Sequence, residues 1–156
     1  MGIETEHKYL VKDDSYIELA SGSVRMAQGY LSRVPERTVR VRVSGDKGFI
    51  TVKGINRGAS REEYEYEIPV EDAKKLLGLC EEKVISKTRY YVDYQGFTWE
   101  VDRFEGELAP LIVAEIELPS EDTPYPLPPF VGRDVTGDPR YYNSSLSRCE
   151  NHPPVL

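Results

Sequence analysis

The sequence predicts a mainly β fold of the α+β class, with eight strands and a few covering helices. Most segments alternate apolar and charged residues, turn-forming residues separate several of them, and only one stretch has strong helical periodicity. The chain has 156 residues, of which 39% are hydrophobic, so it can bury a core without disulfides. We therefore expect one domain over residues 1–156.

Eight segments have the period-two pattern of a strand with one apolar side. These predicted strands are 2–11, 25–33, 37–44, 48–54, 61–68, 84–94, 97–104 and 110–118. Turn signals at 44–48 and 95–96 are typical of antiparallel hairpins.

Three segments are predicted to be helical. The strongest is 70–80, where Ala73, Leu76, Leu77 and Cys80 share one face and acidic residues occupy the first turn. Shorter helices are predicted at 15–20 and 138–147. The proline-rich segment 119–129 is expected to wrap around the surface, because proline cannot continue a sheet.

Charged residues stand at alternate positions in most of the predicted strands, which places each set on one strand face. The sets are Glu4, Glu6 and Lys8; Arg40 and Arg42; Glu63 and Glu65; Lys87 and Arg89; Glu100 and Asp102; Glu115 and Glu117. The pattern alone allows two arrangements. The charges face water in an ordinary barrel or sandwich, or they line the lumen of a barrel whose apolar side is covered by helices.

A lumen with both cations and carboxylates would suit a polyanion bound together with a metal ion. Guanidinium and ammonium groups bind phosphate oxygens, and carboxylates hold Mg²⁺ or Mn²⁺. The implied ligand is a small-molecule triphosphate. Walker, GxGxxG, GxSxG and HExxH motifs do not occur in the sequence.

Charge and composition restrict the partners and the compartment. A net charge of −7 opposes general binding to nucleic acid or to an anionic membrane. No stretch approaches the length of a spanning helix, and the start of the chain has no apolar leader. We expect a cytoplasmic monomer or homodimer that binds neither nucleic acid nor membrane.

An ordered set of motifs resembles the CYTH superfamily, the triphosphate tunnel metalloenzymes, and in particular its short bacterial inorganic triphosphatases. The motifs are ExExK at 4–8, QGYL at 28–31, VRVRV at 39–43, TVKG at 51–54, SREEYEYEI at 60–68, KTRYY at 87–91, WEVD at 99–102, AEIEL at 114–118 and DPRYYNSSL at 138–146. The resemblance implies an eight-stranded antiparallel β-barrel with a charged lumen.

By this resemblance, each charged set has an expected role. The metal ligands would be Glu4, Glu6, Glu115 and Glu117. The substrate-binding cations would be Lys8, Arg40, Arg42, Lys53, Lys87, Arg89 and Arg140. Glu63, Glu65 and Asp102 would serve a second metal or a water molecule. Lys8 and Tyr30 are the expected catalytic pair.

The implied activity is metal-dependent hydrolysis of a phosphoanhydride bond in inorganic triphosphate, and more slowly in nucleoside triphosphates. Two other activities remain open within the family, namely adenylate cyclase and thiamine triphosphatase. A non-catalytic sensor of polyphosphate or nucleotide is the alternative outside enzymes.

Overall fold

The computed structural model describes residues 3–149 and 151–155, except for the side chain of Glu4. Residue 2 of the first predicted strand and both ends of the expected domain therefore lie outside the described residues. The strands are β1 (Ile3–Val11), β2 (Ala20–Ser32), β3 (Thr38–Ser44), β4 (Lys47–Lys53), β5 (Ser60–Ile68), β6 (Glu81–Tyr94), β7 (Phe97–Phe104), β8 (Ile112–Glu117) and β9 (Val131–Asp134). The α-helices are α1 (Ser15–Leu19), α2 (Val70–Leu77) and α3 (Asn143–Leu146), with 3₁₀ turns at Gly106–Leu108 and Pro139–Tyr141.

Eight strands form a closed antiparallel barrel, as the sequence predicts. Their order is β5-β4-β3-β2-β6-β7-β8-β1, and β1 closes the circle by pairing with β5. The first residues of β1 pair with β5, whereas its residues 6–10 pair with β8. Further along β1, Tyr9 and Val11 pair with the short extra strand β9. Closure removes the free edges that an open sheet would expose.

The apolar sides of the strands face outward and are covered. Trp99 and Ile116 are buried on the outer face, where Tyr16 of α1 and Phe130 pack on them. Helix α2 lies against β3 and β4 and buries Ala73. Because alternate residues point to opposite faces, covering this side leaves the charged side to face the lumen. The second of the two arrangements allowed by the pattern is therefore the correct one.

The lumen changes from charged to apolar toward one end. Leu10 follows Lys8 on β1, and its register partner Val113 precedes Glu115 on β8. These residues form a buried cluster with Ile85, Phe104, Leu108, Leu111, Val135, Tyr141 and Leu146. Tyr141 and Leu146 belong to the C-terminal segment, which thus covers this end of the barrel.

Several elements differ from the sequence prediction. Strand β2 begins at Ala20 rather than 25, where ASGSV lacks alternation but pairs with β6, and strand β6 begins at Glu81 rather than 84. Strand β9 spans only four residues, too few for a recognisable period. Helix α2 ends at Leu77 because Gly78 follows it. The backbone N–H of Gly78 donates a hydrogen bond to the carbonyl oxygen of Lys75. The predicted helix 138–147 is divided, because Tyr142 has an extended backbone.

Candidate active site

A polar cavity of about 370 Å³ occupies the charged part of the lumen. Every strand of the closed barrel contributes to its wall. Its charged lining residues are Glu6, Lys8, Arg40, Arg42, Lys53, Arg61, Glu63, Glu65, Arg89, Glu100, Glu115 and Glu117. Tyr30, Asn56, Thr136, Tyr142 and Asn143 also line it.

Antiparallel register explains how distant parts of the sequence meet in this cavity. Glu6 on β1 is the partner of Glu117 on β8, and Lys8 is the partner of Glu115. These four side chains thus form one wall, although 100 residues separate the two strands. The side chain of Glu4, the remaining expected metal ligand, is outside the described residues.

Lys8 is held from two sides. Its Nζ lies 3.2 Å from Glu115 Oε2 and donates a hydrogen bond of 3.1 Å to the carbonyl oxygen of Tyr141. Burial would lower the pKa of Lys8, but Glu115 and Glu6 outweigh it and raise this pKa above its usual 10.5, with a smaller contribution from Tyr30. Lys8 is therefore an ammonium ion at neutral pH. Glu115 is affected in return. Burial would raise the pKa of Glu115, but the positive charges of Lys8 and Arg89 hold this pKa at about 2.

The opposite wall carries cations whose carboxylate partners lie on a neighbouring strand or the next but one. Arg40 Nη2 lies 3.7 Å from Glu65 Oε2, and Lys53 Nζ lies 3.4 Å from Glu63 Oε2. These carboxylates are more exposed than the cations that they contact. An entering anion could replace them without leaving a buried carboxylate unpaired.

Asp102 lies outside the cavity lining and anchors two cations, the lining residue Arg89 and the buried Lys87. Its carboxylate accepts a bidentate pair from Arg89, with Nε–Oδ1 at 2.7 Å and Nη2–Oδ2 at 2.9 Å, and Lys87 Nζ lies 2.7 Å from Oδ2. Burial would raise the pKa of Asp102, but Arg89 and Lys87 hold it far below its usual 3.8. Burial and the guanidinium groups of Arg89 and Arg42 lower the pKa of Lys87, whereas Asp102 opposes this shift. Lys87 and Asp102 are not among the residues that line the cavity.

Arg140 lies outside the cavity lining. Its side chain is exposed, stacks on the ring of Tyr141 and donates to Asp138 at 2.7 Å, two residues away. The motif DPRYYNSSL nevertheless contributes to the site through other residues. Tyr142 and Asn143 line the cavity, and the hydroxyl of Tyr142 accepts a hydrogen bond of 2.7 Å from Asn56 Nδ2.

Several lining residues were not among the predicted site residues. Glu100 belongs to the alternating set with Asp102, but the family resemblance assigned it no role. Asn56, Thr136, Tyr142 and Asn143 lie in loops or at a helix start, where no periodic signal exists. Arg61 is the second residue of β5 and precedes Glu63 on the same face, so alternation could have included it.

No group of three or more His, Cys, Asp or Glu side chains converges to hold a metal ion within the part of the chain that the structure describes. The donors nevertheless fit a hard divalent cation in kind, because Glu6 and Glu117 are adjacent carboxylates facing the cavity. Mg²⁺ commonly binds one or two carboxylates and completes its coordination with water and substrate phosphates.

The chain matches the CYTH domain family over residues 2–146. It belongs to this family. It is 54% identical to the inorganic triphosphatase of Acetivibrio thermocellus over 94% of each chain. It is 37% identical to the inorganic triphosphatase of Nitrosomonas europaea, over 92% of this chain and 96% of the relative.

Solved structures also resemble this CYTH fold. The crystal structure of the inorganic triphosphatase NE1496 superposes with a TM-score of 0.66 at 34% identity and covers 94% of this chain and 95% of its own. A putative adenylyl cyclase from Hippeastrum has a TM-score of 0.57 at 13% identity, with 77% and 80% of the two chains covered, and shows only a shared fold. Among the described residues, no helix is both long and apolar enough to span a membrane.

The buried cluster around Asp102 predicts a strong effect on stability. Asp102→Asn keeps the side-chain shape but leaves Lys87 and Arg89 without their shared carboxylate. We expect the free energy of unfolding at pH 7, measured in urea, to fall by about 3–5 kcal/mol. The control is Glu107→Gln, which removes an exposed partner of Lys83 at 3.2 Å and should cost about 0–1 kcal/mol.

The difference between wild type and Asp102→Asn should also depend on pH. Because the pKa of Asp102 is lowered in the folded state, its stabilisation is complete above its unfolded value of 3.8 and is lost as the pH falls. The difference should therefore shrink as the pH falls below about 4. Equal costs for the two variants, or a difference that grows in acid, would contradict this account of the cluster.

Proposed function

We propose that this CYTH protein hydrolyses a terminal phosphoanhydride bond of inorganic triphosphate with the help of a divalent metal ion. The observation that carries the proposal is the cavity in which buried cations from several strands meet carboxylates from both walls. Its volume is in the range of small-molecule sites. The two inorganic triphosphatase relatives support the same substrate.

The expected metal is Mg²⁺ or Mn²⁺, and Glu6, Glu115 and Glu117 would hold it together with Glu4. Such an ion would neutralise charge on the phosphoryl oxygens of the substrate. Glu63 and Glu65 are available from the other wall for a second ion or for a water molecule. Asp102 would contribute indirectly, by keeping Arg89 fixed.

The cations of the cavity would bind the phosphates before any bond changes. Arg40 and Lys53 can exchange their carboxylate partners, which are more exposed than the cations, for phosphate oxygens. Arg89 would approach the substrate with its orientation already set by Asp102, which reduces the ordering cost of binding. Lys87 would act through the same carboxylate, since it lies outside the cavity lining.

Lys8 and Tyr30 are proposed to serve the chemical step. In hydrolysis, a water oxygen forms a bond to the terminal phosphorus, the bridging P–O bond breaks, and orthophosphate and pyrophosphate leave. Lys8, kept protonated by Glu115 and Glu6, would stabilise charge on the phosphoryl oxygens. The Tyr30 hydroxyl would orient the attacking water or exchange a proton with it.

The remaining expectations rest on the same reasoning. A lumen of this charge and size favours a small triphosphate over nucleic acid, and the net charge of −7 agrees with this. We propose a cytoplasmic enzyme that acts as a monomer or homodimer. The cyclase, thiamine triphosphatase and sensor alternatives are outcomes of the following test.

Product analysis distinguishes these activities. With tripolyphosphate and Mg²⁺ or Mn²⁺, we expect orthophosphate and pyrophosphate in equal amounts, no turnover in excess EDTA, and a loss of orders of magnitude in Glu117→Gln. Cyclic AMP formed from ATP, or a much faster release from thiamine triphosphate, would replace the proposal with the corresponding activity. Tight binding without any product would indicate a sensor, and full activity in EDTA would exclude the metal.

The role of Tyr30 has its own test. Tyr30→Phe removes one oxygen and little volume, so it should lower kcat at least about tenfold while the directly measured Kd of the metal–triphosphate complex changes little. The matched control is Tyr142→Phe, which removes another cavity hydroxyl and should affect kcat less. Parallel losses of affinity and turnover in Tyr30→Phe would make Tyr30 a binding residue, and an unchanged kcat would make it a packing residue.

A further inference from the structure

Gln28 is a fully buried amide inside the barrel. It lies on β2, and its register partner on β3 is Arg42. The next residue, Gly29, faces the other way and leaves room for Cys80, whose Sγ would lie 2.9 Å from an added Cβ. Tyr30 then returns to the lumen. Gln28 therefore belongs to the same face as the proposed active site.

The amide of Gln28 fixes the guanidinium of Arg42. Its Oε1 accepts from Arg42 Nε at 3.0 Å and from Nη2 at 2.8 Å. A guanidinium has only donors, so the oxygen of the amide must face it and the NH₂ group must point elsewhere. Two bonds to one oxygen restrict both the position and the tilt of the Arg42 head group.

This arrangement differs from that of the other cavity cations. Carboxylates lie within 4.0 Å of Lys8, Arg40 and Arg89. In the described part of the chain, no carboxylate forms such an ion pair with Arg42. Burial and the neighbouring charges of Arg40 and Arg89 lower the pKa of Arg42, as expected for a cation that is not locally neutralised.

Packing alone does not account for an amide at this place. Gln28 Nε2 is buried and has no hydrogen-bond partner among the described residues. An unpaired buried donor is costly, whereas an apolar side chain of similar length would avoid that cost. The amide is useful here because it orients Arg42 without adding negative charge.

We propose that Gln28 is a positioning residue that presents Arg42 to a phosphate group as an oriented, unneutralised cation. The inference rests on the proposed triphosphatase function. A phosphate that binds Arg42 displaces no carboxylate, unlike one that binds Arg40. Arg42 would therefore be the strongest contributor to triphosphate affinity among the arginines of the cavity.

Two substitutions separate orientation from charge. Gln28→Met removes the acceptor and keeps the length, whereas Gln28→Glu keeps an acceptor but neutralises Arg42. The probe is the bis-methylene analogue of tripolyphosphate with Mg²⁺, titrated by calorimetry. We expect Kd to rise about three- to tenfold in Gln28→Met and more than tenfold in Gln28→Glu, in line with the loss of a charge-assisted contact.

Stability measurements distinguish a positioning role of Gln28 from a purely structural one. Gln28→Glu should unfold at the same urea concentration as the wild type or a higher one, because the variant gains a buried ion pair. Its affinity for the analogue should nevertheless fall. Wild-type affinity in Gln28→Glu would overturn the proposal. Gln28→Met reports on affinity independently if the glutamate variant does not fold.

A double-variant cycle tests whether Gln28 acts through Arg42. In an Arg42→Met background, Gln28→Met should change Kd by less than about twofold, because there is no guanidinium left to position. An undiminished effect in that background would mean that Gln28 binds the phosphate itself and would overturn the proposal. If the wild type neither binds the analogue nor hydrolyses tripolyphosphate, the triphosphatase function fails. If the wild type binds the analogue and all variants bind like it, only this inference fails.

Discussion

Charge compensation inside the barrel is the constraint on which the rest of the structure depends. Asp102 joins Arg89 and Lys87 in a buried cluster, and one carboxylate thereby serves two cations. Placing charges in a lumen is costly unless each is paired, and pairing across strands requires a fixed register. The register of β6, β7 and β8 thus determines both the stability of the barrel and part of the lining of its cavity.

The charged residues occupy only one part of the lumen, because each buried charge has to be compensated. Toward the covered end, Leu10, Val113 and Phe104 replace charged residues, and Tyr141 packs among them. The C-terminal segment completes this apolar cluster and also supplies the carbonyl that binds Lys8. Packing at the covered end and the position of one proposed catalytic group are therefore coupled through one residue, Tyr141.

Much of the fold could be predicted from the sequence, because period-two alternation reports directly on the two faces of a strand. Alternation alone cannot say which face is inside, and the resemblance carried by motifs such as ExExK decided in favour of a charged lumen. The C-terminal contribution was harder to predict. Arg140 is the basic residue of its motif, yet Tyr142 and Asn143 reach the cavity, because the backbone turns at Pro139 and extends again at Tyr142.

The central claim is that the charged cavity holds the triphosphate and its metal. A crystal structure with the bis-methylene analogue and Mn²⁺, including anomalous scattering data, tests it most directly. The account predicts three phosphate groups among Arg40, Arg42, Lys53 and Arg89, with an anomalous peak beside Glu6 and Glu117. Analogue bound outside the barrel, or manganese far from these carboxylates, would contradict it.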